Sequence, residues 1–147
     1  MEFKGFLKLY VGGELIAAPI VIMHKESENE DEVVIRTEYQ EKTYSGIGKN
    51  LDWTDAFANL QKALPDDVKI HCCMTCRYGT LCPYGCIPNY ILCSENAAIK
   101  SKSDVIDWLD KVDENSIKRS SFGYCEKYCS ANENDYTYND YLDYLNH

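Results

Sequence analysis

The chain has 147 residues, 45% of them apolar and 27% charged, with 24 acidic against 15 basic side chains and a formal charge of −9. That length suits one hydrophobic core, alone or with a small appendage, and the composition excludes a disordered or fibrous chain. The negative balance repels phosphate backbones and anionic lipid headgroups, so neither nucleic acid nor a membrane surface is an expected partner.

Residues 2–11 (EFKGFLKLYV) carry β-favouring aromatic and aliphatic side chains, Gly12-Gly13 is a permissive two-residue turn, and 14–23 is again extended in character. This pattern predicts a β-hairpin. The run Leu15 to Met23 (LIAAPIVIM) is the only long apolar stretch, too short to span a bilayer and broken by Pro19. Glu2 and the Gly12-Gly13-Glu14 segment ahead of the run do not fit a secretory leader, so a cytoplasmic location is expected. The acidic stretch His24 to Glu32 reads as an exposed loop before a third strand at Val33 to Tyr39.

From Asn50 the apolar period becomes helical, with Leu51, Ala56, Phe57, Leu60 and Leu64 on one face. Asn50, Asp52 or Thr54 can cap this helix and Pro65 stops it before a short strand at Val68-Lys69-Ile70. Residues 1–70 are thus expected to form a β-β-β-α-β scaffold, and 71–147 a cysteine-rich segment that folds with it as one compact unit. The scaffold has no catalytic spacing, no glycine-rich phosphate loop and no Ser/His/Asp constellation. An enzyme is not expected.

Six of the eight cysteines lie within the 22 residues from Cys72 to Cys93, and Cys125 and Cys129 follow later. In a reducing compartment such density points to metal ligation or redox chemistry before structural disulfides. Cys73-Met-Thr-Cys76 has the spacing at which two thiolates on a tight turn converge on one tetrahedral ion, zinc above all. Cys72 and Cys73 point to opposite faces of an extended segment, and Cys73 holds the C-x-x-C spacing. A closed site draws its second pair from distant segments, a role that Cys93 and Cys125 fit best among Cys82, Cys86, Cys93, Cys125 and Cys129. The expected metal set is therefore Cys73, Cys76, Cys93 and Cys125. Gly79, Pro83, Gly85 and Pro88 lie between the pairs, and so many turn formers need a cross-link in place of a core.

Other readings of these thiols carry different predictions. An iron–sulfur cluster needs four cysteines too, although the common ferredoxin spacings do not match. Cys82-x-x-x-Cys86 and Cys125-x-x-x-Cys129 can be read as redox dithiols or as a second, weaker metal site of a sensor or store. Free thiols can also simply pack as small hydrophobes. His71 is a reserve ligand, and Arg77 and Tyr78 are expected to stabilise thiolate charge by donating toward it.

A second helix is predicted over Ser103 to Val112, capped by Ser103 and striped by Val105, Ile106, Trp108, Leu109 and Val112. A short last helix is expected from Thr137 or Asn139, with Tyr136, Tyr138, Tyr141 and Tyr144 set among acids. Such a surface suits protein contacts, and packing against the body is its simpler alternative.

The run Cys73-Met-Thr-Cys76-Arg-Tyr-Gly, then Pro83-Tyr84-Gly85 and a cysteine after an apolar pair, resembles a family of small uncharacterised bacterial proteins. The resemblance implies a hairpin-first α+β segment ahead of a metal knuckle, with Cys73, Cys76, Cys93 and Cys125 as the shared set. Cys72, Cys82, Cys86 and Cys129 depart from that pattern, and no activity comes with it. The expectation is an α+β protein whose antiparallel sheet and helix precede a zinc-knuckle-like segment and a further helix. Its expected role is metal-dependent binding of a basic protein, as in a bacterial immunity or antitoxin protein that neutralises a basic toxin.

Overall fold

A computed structural model describes residues 2–84 and 89–147. The chain is α+β and divides into two compact units, Met1–His71 with Asp140–His147, and Cys72–Asn139. Among the described residues no helix is long and apolar enough to cross a membrane.

The first unit opens with the predicted hairpin, β1 (Glu2–Val11) and β2 (Glu14–Lys25), joined at Gly12 and Gly13 with φ of +57° and +86°. Two consecutive positive φ values make the mirror-image turn that matches strand twist, which glycine adopts without a Cβ clash. β3 (Glu32–Tyr39) follows the acidic loop, and then β4 (Lys42–Lys49) returns beside it, a strand absent from the expected β-β-β-α-β order. Its turn is Gln40-Glu41, both at positive φ although neither is glycine, asparagine or aspartate. Gly46 and Gly48 also dilute its strand character, and packing explains both. A Cβ on Gly46 would lie 2.1 Å from the Ala56 carbonyl oxygen, and one on Gly48 2.0 Å from that of Asp52. The helix rests on bare backbone there.

α1 (Trp53–Ala63) is the predicted helix, and Asp52 is its cap, its side chain accepting from the amides of Thr54 and Asp55. Leu51 lies outside it at φ +58°. β5 (Val68–His71) completes a five-stranded antiparallel sheet in the order β4-β3-β2-β1-β5. The buried Gln61 side chain donates to the Val68 carbonyl and accepts from the Ile70 amide, so it satisfies backbone groups of this edge strand. Leu7, Leu9, Ile20, Ile22, Val33 and Ile35 point from the sheet into a core shared with Trp53, Phe57 and Leu60 of α1. Pro19, which lacks an N–H, sits one residue before β2 begins to pair with β3 at Ile20, and the Thr37 hydroxyl donates to its carbonyl.

The expected segment 71–147 does not hold together to its end. Its last helix, α4 (Tyr141–Leu145), begins after the expected Thr137 or Asn139 and belongs to the first unit. Tyr141 is buried, Tyr144 donates to Asp52 at 2.6 Å, and Lys62 of α1 holds the carbonyls of Tyr144 and His147. For these two tyrosines packing on the body describes the structure better than an open contact surface.

The second unit is built on a small sheet, β6 (Gly79–Thr80), β7 (Tyr90–Cys93) and β8 (Lys118–Ser120), in the order β6-β7-β8. Its α-helices among the described residues are α2 (Lys102–Leu109) and α3 (Glu114–Ile117). Ser101, not Ser103, caps α2 by accepting from the Asp104 amide, because the helix starts a residue early and stops before Val112. Trp108 is half-buried, and Val105 is the one fully buried residue of that helix.

Candidate metal centre

Cys72 ends the extended backbone that leaves β5, and Cys73–Thr75 form a single 3₁₀ turn. The Cys76 amide donates back to the Cys73 carbonyl at 3.3 Å and the Gly79 amide to the Cys76 carbonyl at 2.9 Å, so the chain reverses tightly around two cysteines. Gly79 is required at this reversal, since a Cβ there would lie 2.1 Å from the Cys73 carbonyl oxygen. The turn is fastened from several sides. Cys73 donates its amide to Gly123, Met74 to Ser121 and Arg77 to Cys129, and Cys76 makes an isolated bridge with Ser130. The Asn139 side-chain amide donates to the carbonyls of Met74 and Gly79, and the hydroxyls of Thr75 and Tyr128 meet at 2.8 Å.

Cys93 ends β7 directly opposite Gly79, and Cys125 lies in the loop that follows β8. Cys73, Cys76, Cys93 and Cys125 consequently line one pocket of about 130 Å³, walled by Tyr78, Ile91, Leu92 and Tyr124. Cys72 does not line it. Its side chain is wholly buried. Cys82 and Cys129 are half-buried outside the pocket lining, and Cys86 lies outside the described residues. Among the described residues no group of three or more His, Cys, Asp or Glu side chains is gathered closely enough to hold a metal ion as placed. The four thiols share a pocket without closing into a coordination shell.

The pocket's electrostatics oppose free thiolates. Burial, and then the neighbouring Cys72, Cys76, Cys125 and Cys93, push the Cys73 thiol up to about 12. Burial also raises Cys76, against amide donation to its sulfur from Cys129 and Tyr78. Several thiols that raise one another in an apolar pocket stay protonated unless a cation compensates their charge. The amides of Tyr78 and Cys129 are thus placed to stabilise negative charge on the Cys76 sulfur.

His71 is not among the residues that line this pocket: it belongs to β5, where its ring stacks on Tyr10 at 4.8 Å and 3°, and burial lowers its pKa. Arg77 also does not line it. The guanidinium pairs with Asp135 at 3.2 Å and lies over the Tyr78 ring, so its expected part in thiolate stabilisation is not made there. The cations that do line the pocket are Arg119 and Lys127, the latter 2.9 Å from Glu95. Neither was singled out in the sequence, although Lys127 stands two positions after Cys125; Arg119 comes in on β8, 43 positions beyond Cys76. No family model, curated protein or solved structure matches this chain.

Proposed function

We propose that the second unit is a protein-interaction module whose fold is completed by a structural zinc ion on Cys73, Cys76, Cys93 and Cys125. The observation that carries this reading is the gathering of those four thiols, from three separated stretches of chain, around one pocket. An all-cysteine set leaves no position for water or substrate, which suits a structural ion and not a catalytic one. Four thiolates around a doubly charged ion leave excess negative charge, and Arg119 at the pocket wall offsets part of it, Lys127 being paired there with Glu95. The three short strands give this unit only a small core, with Thr80, Ile91 and Leu92 buried and β8 exposed, so ion binding and folding of this unit form one equilibrium.

The partner in this reading is a basic protein, steered by the overall charge of −9, in the manner of an immunity protein that neutralises a cationic toxin. The test is elemental analysis of protein purified under reducing conditions, with its visible spectrum. About one colourless zinc per chain is expected, and Cys73→Ser should abolish it. Brown colour with iron and sulfide would replace zinc by a cluster, and metal-free folded protein would end the proposal. For the partner, an association rate that does not fall with added salt would count against charge steering.

A further inference from the structure

The apolar run Leu15 to Met23 has the composition of a strand covered on both faces, because such strands lose the alternation of apolar and polar residues. In the sheet only one face of it is covered. Ala18, Ile20 and Ile22 enter the core, whereas Leu15, Ala17, Pro19, Val21 and Met23 point outward, so five successive outward positions of β2 are apolar. The neighbouring strands extend this stripe. Phe6, opposite Pro19, is 69% exposed, and Tyr10, opposite Leu15, and Ile47 of β4 are exposed as well. Isolated exposed apolar residues are ordinary on a protein surface, but a contiguous patch across neighbouring strands marks a contact site.

The charge of this face is opposite to that of the chain. Lys4, Lys8, Arg36 and Lys69 point outward around the stripe, against Glu2 and Glu38. The last rung, Lys25, Glu32 and Lys49, adds two cations and one carboxylate. Six cations against three carboxylates leave the face at +3, so the rest of the chain carries −12 of the total −9. Lys4 is paired with Glu2 at 3.5 Å, but among the described residues Lys8, Arg36 and Lys69 are in no ion pair.

From the stripe and its rim we infer that the outward face of the β1–β2 hairpin docks an acidic protein segment carrying aromatic or aliphatic side chains. Apolar groups of that segment cover Phe6, Pro19 and Leu15, while its carboxylates meet Lys8, Arg36 and Lys69. A second copy laid face to face would oppose +3 with +3 and is disfavoured. The interleaved Glu2 and Glu38 suit a patterned protein segment better than the uniform charge of an anionic bilayer. This surface is independent of the thiol pocket and of the basic partner proposed above, and its sign of charge selects the opposite kind of protein.

The test uses the full chain and a random glutamate–tyrosine copolymer as the acidic, aromatic probe, with polylysine as the control. Wild type should bind the copolymer, and Lys8→Glu with Lys69→Glu should weaken it about tenfold or more. Phe6→Ser with Leu15→Ser should weaken it comparably, with far-UV circular dichroism and metal content unchanged in both variants, which separates this result from failure of the zinc reading. No binding by wild type, or binding unaltered in both variants, would overturn the inference. Tighter binding to phosphatidylserine vesicles than to the copolymer would reassign the face to membranes. Self-association that disappears in the serine variant would reassign it to a second copy.

Discussion

Single side chains show how burial redirects chemistry that residue identity leaves open. His24 begins the acidic stretch in the sequence, yet its Nε2 accepts a hydrogen bond from the Trp53 indole at 2.8 Å, beside the Phe3 ring. Burial lowers its pKa below 6.5, so below that value the unfolded chain binds more protons than the folded one. The stabilising contribution of the neutral ring is therefore complete above about pH 6.5 and fades as pH falls toward the folded pKa. Thermal melts between pH 7 and 5 should show this loss, and His24→Gln, which keeps an acceptor for Trp53, should show less of it. Cys72, wholly buried, and Cys73, which lines the pocket, also part in their roles. Cys72→Ala should cost about 1 kcal/mol of stability by removing a buried sulfur and leave metal stoichiometry unchanged. A fall in bound metal equal to that of Cys73→Ser would place Cys72 among the ligands.

Elements meet where one of them omits a side chain. β4 was not legible in the sequence, since Lys42-Thr-Tyr-Ser-Gly-Ile-Gly-Lys has few apolar residues and its turn carries no turn-forming pair. The reason lies in α1, whose backbone passes within Cβ distance of Gly46 and Gly48. Gly46→Ala should therefore destabilise the first unit by about 3 kcal/mol or more, through overpacking against backbone that cannot yield as a side-chain tip can. Chemical denaturation would measure it, and a change within about 0.5 kcal/mol would show that helix and strand separate freely. α1 itself was legible, because its stripe and its stop at Pro65 are local, although the sequence left its cap among Asn50, Asp52 and Thr54 and counted Leu51 in the stripe. α2 was legible only approximately. Ser101 and Ser103 both satisfy the capping rule, and the choice between them depends on where the chain enters the helix.

For the whole molecule, the division into two units sets the expected response to metal removal. The first unit has a continuous core from its sheet to Trp53, Phe57 and Leu60, whereas the second relies on short strands and the thiol pocket. Chelation under reducing conditions should unfold the second unit and leave the first folded. In a Trp108→Phe variant the remaining Trp53 is buried in the first unit, so its fluorescence should keep a blue-shifted maximum while far-UV signal falls. A simultaneous red shift would mean that the two units unfold as one.

The sequence by itself determined the α+β class, the hairpin at Gly12-Gly13, the helix before Pro65 and the tight Cys73-x-x-Cys76 turn. These follow from side-chain period, turn conformation and ligand spacing, all of which act over a few residues. Only the tertiary structure decided that α4 returns to the first unit, that β4 exists, and that Arg119 joins the thiols while Arg77 does not. It also decided that one side of the apolar run remains uncovered. Each of these depends on which distant segments come together, and long-range proximity is a property of the packed chain that no local pattern encodes.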